Sequence, residues 1–124
     1  MEETNKITDA IIGSAIKVHK TLGPGLFENV YESCLFYELE KQNLKVLKQV
    51  PIDVIYDEVI LDCGFKADLI VEDSVIVELK SVKELNDIHL SQILTYLKLS
   101  KLKVGLLINF NVKRLIDGVK RVVN

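Results

Sequence analysis

Asp68, Glu78 and Lys80 lie in the stretch GFKADLIVEDSVIVELKSV, residues 64–82, among side chains suited to the buried strands of a sheet. A charge in a strand core is costly unless it is paired or holds a metal, so these residues need a partner or a role. Period-two alternation puts Asp68 on one strand face with Lys66 and Ile70, and puts Glu78 and Lys80 together on a face of the next strand. Pairing across a turn at Asp73–Ser74 would bring both carboxylates to one side of the sheet. Carboxylates at close range repel unless a cation lies between them, and hard oxygen ligands open to water favour Mg²⁺ or Mn²⁺ over zinc. Such an ion polarises a phosphoryl oxygen and lowers the pKa of a bound water. The Lys80 ammonium could orient that water or offset charge developing at a phosphate. The structural alternative is a cross-strand salt bridge, the commonest use of Glu-x-Lys in a strand.

Two further stretches carry polar groups at helical spacing. His89, Gln92 and Tyr96 stand at i, i+3 and i+7, so they share one helix face, while Leu90, Leu94 and Leu97 point elsewhere. Such a stripe fits a helix beside a polar site or a nucleic-acid backbone; it also fits a solvated face with Tyr96 half buried. In GLFENVYES, Glu28 and Tyr31 lie one turn apart, and Gly25 precedes the helix where a tight turn needs freedom in φ. Taken alone, Glu28 reads as a first-turn acid favoured by the helix dipole.

The elements that must position these residues follow from periodicity. Ile7, Ala10, Ile11, Ser14, Ala15, Val18 and Leu22 form a helical stripe, with Thr4 or Thr8 as candidate cap, and GPG at 23–25 ends it. A second helix is expected from about Leu26 to Gln42, with Leu35, Leu39, Phe27, Tyr31 and Phe36 as apolar surface. NLKVLKQVPIDVIYD and EVILDCG read as strands around a turn near Asp57–Glu58, Pro51 marking an edge strand or a bulge. The stretches around Asp68 and Glu78 are the next two strands. LNDIHLSQILTYLKLS is a third helix capped near Asn86 or Asp87, and KVGLLINF a strand buried on both faces. The tail can add a short helix or a strand. This order predicts one mixed α/β layered domain over residues 1–124.

Composition narrows the classes. The chain is 48% apolar and 27% charged, a globular balance, and without Trp its core must be built from Ile, Leu and Val. No apolar run approaches the ~20 residues that span a bilayer, and the polar N-terminus reads as neither secretory signal nor transit peptide. Cys34 and Cys63 are expected to be reduced core or near-core residues of a cytoplasmic protein, and are too few for a four-thiolate metal site. Residues 1–97 carry 9 Lys and Arg against 17 Asp and Glu, net −8; residues 98–124 carry 7 against Asp117 alone, net +6. That asymmetry allows an edge facing a polyanion, or simply a solvated basic surface.

GLFENVY, Gly25 to Tyr31, resembles the G-x-x-E-x-x-Y signature of the bacterial and archaeal GxxExxY proteins. The likeness continues through QVPI, ADLIVED, VIVELKSV, Ile93–Leu99 and GLLINFNV. That family is grouped with the PD-(D/E)XK nuclease-like superfamily, which implies an α/β restriction-endonuclease-like core with a mixed central sheet flanked by helices. By this resemblance Asp68 looks like the first acid of the superfamily motif, and Glu78 and Lys80 like its E-x-K. Gln92 and Tyr96 match the Q-x-x-x-Y helix of the RecB-type branch, which helps hold the DNA and the active site. Glu28 corresponds to an acid on the helix before the sheet, and His19 lies where RecB-type enzymes often carry a histidine metal ligand.

The resemblance implies a small metal-dependent nuclease acting on nucleic acid, expected to be DNA. Asp68, Glu78 and the carbonyl of Leu79 would hold Mg²⁺ or Mn²⁺, and a metal-activated water would attack the phosphodiester with help from Lys80. Glu28 would extend the carboxylate cluster, while Gln92 and Tyr96 steady the phosphate or Lys80. The alternatives are a catalytically silent module that binds nucleic acid or a protein partner, and a structural subunit in which Asp68, Glu78 and Lys80 form only salt bridges. A homodimer would widen the substrate-binding surface.

Overall fold

A computed structural model describes all residues, 1–124. The first apolar stripe folds as α1 (Glu2–Leu22), which buries Ile7, Ile11, Ala15 and Val18 at helical spacing. Neither Thr4 nor Thr8 caps it. The helix begins a turn earlier, behind Met1 with no side-chain cap, and Thr8 instead donates to the Asn5 carbonyl at 3.0 Å. Glu2 and Glu3 in the first turn complement the helix dipole in place of a cap. The second helix, α2 (Glu28–Lys41), buries Tyr31, Leu35 and Leu39 completely. Phe27, expected to supply apolar surface, is 83% exposed because it precedes the helix at the N-cap, where its side chain points away from the buried stripe.

The stretch from Asn43 to Asp57, expected as one strand, is two: β1 (Val46–Pro51) and β2 (Val54–Tyr56). The break comes at Ile52, whose side chain is buried and whose N–H donates to the Phe65 carbonyl at 2.8 Å, turning the chain off the main sheet. β2 pairs only with β3 (Val59–Leu61), as a small hairpin whose two turn residues, Asp57 and Glu58, both have positive φ. β4 (Lys66–Val71) and β5 (Val75–Lys80) follow, joined through Glu72, Asp73 and Ser74, the first two again at positive φ. This turn contains both residues at which the sequence reading placed it, Asp73 and Ser74, and begins one residue before them. After α3 (Asp87–Ser100) and β6 (Val104–Asn109), the tail supplies both a 3-10 turn at Leu115–Gly118 and a strand, β7 (Val119–Val123).

The five-stranded sheet runs β1-β4-β5-β6-β7. β1 is an edge strand, which leaves room for Pro51. β5 and β6 are parallel and joined through α3; the other neighbours are antiparallel, so the sheet is mixed. Helices α1 and α2 cover one face through a core of Tyr31, Leu35, Leu69, Val77, Leu79 and Phe110. On the other face α3 packs with Ile93, Tyr96 and Leu97 against Ile70, Ile76 and Leu107. The α3 contact is close at Gly105, where a Cβ would sit 2.8 Å from Ile93 Cδ1. Cys34 is half-buried, but Cys63 is exposed beside the hairpin rather than in the core. No helix is long and apolar enough to cross a membrane.

Candidate active site

The site forms where the sheet opens at one end. Pairing of β4 with β5 runs from Val71↔Val75 to Leu69↔Val77 and stops there. Beyond that point the Leu79 N–H donates to Asp68 Oδ2 at 2.8 Å, so a side chain takes the place of a backbone acceptor. On its other side Asp68 faces β1, and Gln49 Nε2 donates to Asp68 Oδ1 at 3.2 Å.

Glu78, next along β5, is only 5% exposed. Its Oε1 is buried without a hydrogen-bond partner. Burial first, then the Asp68 charge and a side-chain hydrogen bond with Asp68, push the Glu78 carboxyl up to about 9, while the Lys80 charge works in the opposite direction. The two carboxylates therefore meet as alternation predicts, and near neutral pH Glu78 keeps a proton. Lys80 is half-buried at the end of the same strand and belongs to none of the chain's ion pairs. A salt-bridge network of Asp68, Glu78 and Lys80 is thus not what the fold builds.

A protein-family model described as PD-(D/E)XK nuclease superfamily matches residues 5–122. The chain belongs to the PD-(D/E)XK nuclease superfamily. No curated protein and no solved structure gives a match. The mixed sheet with helices on both faces is the fold expected of that superfamily.

Nucleases of this superfamily generally use divalent metal ions, and the donor set here fits one. The Glu78 and Asp68 carboxyl groups adjoin, Glu78 Oε1 is buried without a partner, and a cation would replace the proton held between the two acids. No group of three His, Cys, Asp or Glu side chains is assembled. Mg²⁺ does not demand one, since it keeps several waters and takes one or two carboxylates plus substrate oxygens. The site is an open sheet end. A partly apolar cleft of about 270 Å³ lies elsewhere, between α1 and α2, lined in part by Val18, Leu22, Cys34 and Tyr37. An open site suits a polymer backbone better than an enclosed one would.

The other sequence candidates divide. Tyr96 comes to the site: it is buried beside Phe65, and burial, then the charges of Glu78 and Asp68, hold its hydroxyl above the ordinary tyrosine value. Gln92, one turn earlier on α3, is exposed, and its side chain makes no hydrogen bond within the chain. Glu28 opens α2, and its Oε1 accepts from the Ser81 N–H at 3.3 Å, just past Lys80. Tyr31 explains how Glu28 is held there. Its buried ring stacks on Phe110 at 4.3 Å, and its hydroxyl donates to the Gly23 carbonyl at 2.6 Å and accepts from the Leu26 N–H at 3.1 Å. Tyr31 thereby buckles the Gly-Pro-Gly loop onto the start of α2.

Neither histidine joins the carboxylates. His19 Nε2 contacts the Val112 carbonyl at 2.8 Å, at the C-terminal end of α1. His89 closes a capping box on α3, with Nδ1 accepting from the Asn86 N–H at 3.2 Å. Sequence reasoning missed three residues. Asn109, 1% exposed, clamps the segment after Lys80 through both the N–H and the carbonyl of Val82. Glu32 and Gln49 continue the polar chain from Asp68, Gln49 Nε2 donating to Glu32 Oε1 at 2.6 Å. Glu32 could have been found as the residue one turn beyond Glu28; Gln49 carried no signal in its own strand.

Proposed function

We propose that this protein is a metal-dependent nuclease of the GxxExxY type that hydrolyses phosphodiester bonds, with DNA as the substrate. One observation carries the reading: a buried, partnerless Glu78 oxygen beside the Asp68 carboxylate, with Lys80 unpaired on the same strand. Asp68, Glu78 and the Leu79 carbonyl would hold Mg²⁺ or Mn²⁺. When bound, the cation supplies positive charge at the phosphate and acidifies a water. Lys80, free of any carboxylate partner, offsets the charge that develops on the phosphoryl oxygens. Glu28 adds a carboxylate at the edge of the site, and its bond to Ser81 holds the end of β5 toward α2. Tyr96 lines the floor, and Gln92, free on the α3 surface, reaches the backbone phosphate.

The basic C-terminal quarter supports the choice of substrate. β6 ends beside Lys80, and the loop that follows carries Lys113 and Arg114 at the same end of the sheet. His19 holds this loop through Val112. A second reading, a silent module that binds nucleic acid or a protein partner, draws on the missing third acid or histidine ligand.

The test is cleavage of labelled single- and double-stranded DNA with Mg²⁺ or Mn²⁺, an EDTA control, and the variants Asp68→Ala and Glu78→Ala. Metal-dependent cutting lost in both variants is the expected result. Cation binding by the folded protein without cleavage of any polymer would move the assignment to the binding module.

A further inference from the structure

Of the seven residues other than glycine with positive φ, six lie in turns or at helix ends: Asn43, Asp57, Glu58, Glu72, Asp73 and Lys101. The seventh, Gln49 at φ 52°, is inside a strand. The β1–β4 register is otherwise constant, Lys48↔Leu69 on one side and Val50↔Ala67 on the other. The pair it skips is Gln49 and Asp68. A glutamine gains nothing intrinsically from this conformation, and strained backbone of this kind persists only where its surroundings enforce it. Here it lets a single amide nitrogen bridge two acids, Glu32 Oε1 at 2.6 Å and Asp68 Oδ1 at 3.2 Å.

We propose that Gln49 is a positioning residue for Asp68, with Glu32 as its anchor. The inference rests on the reading of Asp68 as part of the active site. The terminal torsion of an aspartate is broad, so one hydrogen bond from Leu79 to Oδ2 leaves the carboxylate free to pivot. A second donor on Oδ1 fixes its plane. Each carboxylate oxygen accepts about two hydrogen bonds or ligands, so one donor on each still leaves Asp68 open toward Glu78 and a cation. Gln49 suits this task better than a lysine would, because a neutral amide holds the carboxylate without supplying the charge that a cation must bring. Glu32 takes the other N–H of that amide and so fixes which way the Gln49 side chain points.

The experiment uses Gln49→Gly, Glu32→Ala and Glu32→Gln in the whole chain. Gln49→Gly removes the amide but suits the positive φ, so the backbone is preserved or eased. The first readout is the Leu79 amide proton, followed by NMR in metal-free protein. Its downfield shift and its protection from exchange should fall in Gln49→Gly and Glu32→Ala as Asp68 pivots away. Glu32→Gln keeps a carbonyl acceptor for Gln49 and should restore both. The second readout is Mn²⁺ affinity by calorimetry, expected to weaken about tenfold in the first two variants and to recover in the third. A Leu79 proton unmoved in Gln49→Gly would overturn the proposal whatever the catalytic result. A shifted Leu79 proton together with a wild-type protein that cuts nothing would uphold Gln49 and reject the nuclease reading.

Discussion

Glu78 should make the metal-free protein less stable as pH rises, and replacing it should remove that dependence. Its carboxyl titrates at about 9 in the folded chain against 4.5 when unperturbed, chiefly because it is buried. Between those values the folded protein holds a proton that the unfolded chain has released. Folding therefore takes up a proton, and stability falls with rising pH by about 1.4 kcal/mol per unit. From pH 4.5 to pH 7 this one group removes about 3 kcal/mol, and the loss continues until the folded carboxyl itself ionises. Glu78→Gln mimics the protonated acid, since its amide can donate to Asp68 where the shared proton now lies. The check is urea denaturation of both proteins in EDTA from pH 5 to pH 8.5. The stability difference should grow with pH in favour of the variant, and this slope, rather than any constant offset, carries the prediction. A divalent cation should offset most of that difference near pH 7. It displaces the Glu78 proton, so calorimetry in buffers of different ionisation enthalpy should show about one proton released per ion near pH 7. At a hundred times its Kd the ion should stabilise the wild type by about 2.7 kcal/mol and the variant far less. A pH-independent difference between the two proteins would refute the buried, protonated Glu78 on which the site rests.

Tyr31→Phe keeps the stack on Phe110 but removes the hydroxyl that ties Gly23 to Leu26, and should cost about 1–2 kcal/mol in chemical denaturation. Gly118→Ala would drive a Cβ into the carbonyl oxygen of Asn109; because that contact is backbone, we expect a loss of about 3 kcal/mol and a lower Tm. Removing two charges with Lys113→Ala and Arg114→Ala should leave stability unchanged but weaken DNA binding, measured in the Glu78→Ala background. The plot of log affinity against log salt should become shallower by about 2; an unchanged slope would take this loop out of the nucleic-acid interface.

Much of the site was legible because side-chain direction in a strand depends only on local geometry. Alternation was enough to put Asp68 and Glu78 on one side, and helical spacing brought Tyr96 toward them. Pro51 likewise marked an edge strand. What periodicity cannot show is where a ladder ends. The split at Ile52 depends on a hydrogen bond to Phe65, thirteen residues on, and the hairpin beyond it leaves Ile55, Val59 and Ile60 exposed despite their apolar run. His89 shared a stripe with Gln92 and Tyr96, yet its ring serves the helix start, because Asn86 three residues earlier offers a reciprocal cap. Gln49 was hidden for another reason: its sequence neighbours all obey the strand rule that it breaks.

The departures from regular structure are concentrated rather than scattered. The β4–β5 ladder stops at Leu69↔Val77, Gln49 alone takes positive φ inside a strand, and Glu78 alone leaves a buried polar oxygen without a partner. All three meet around Asp68. A sheet selected only for stability would close the ladder and put an apolar residue at position 78, since unpaired buried carboxylates commonly cost more than well-packed hydrophobic replacements. Separate explanations for three faults at one place are less economical than a single shared one. A divalent cation between Asp68 and Glu78 would take the place of the buried proton and give Oε1 a partner, while the opened ladder leaves room for a ligand. On this reasoning the metal-free site is under tension by construction, and relief of that tension on loading is what distinguishes an active site from a poorly packed sheet end.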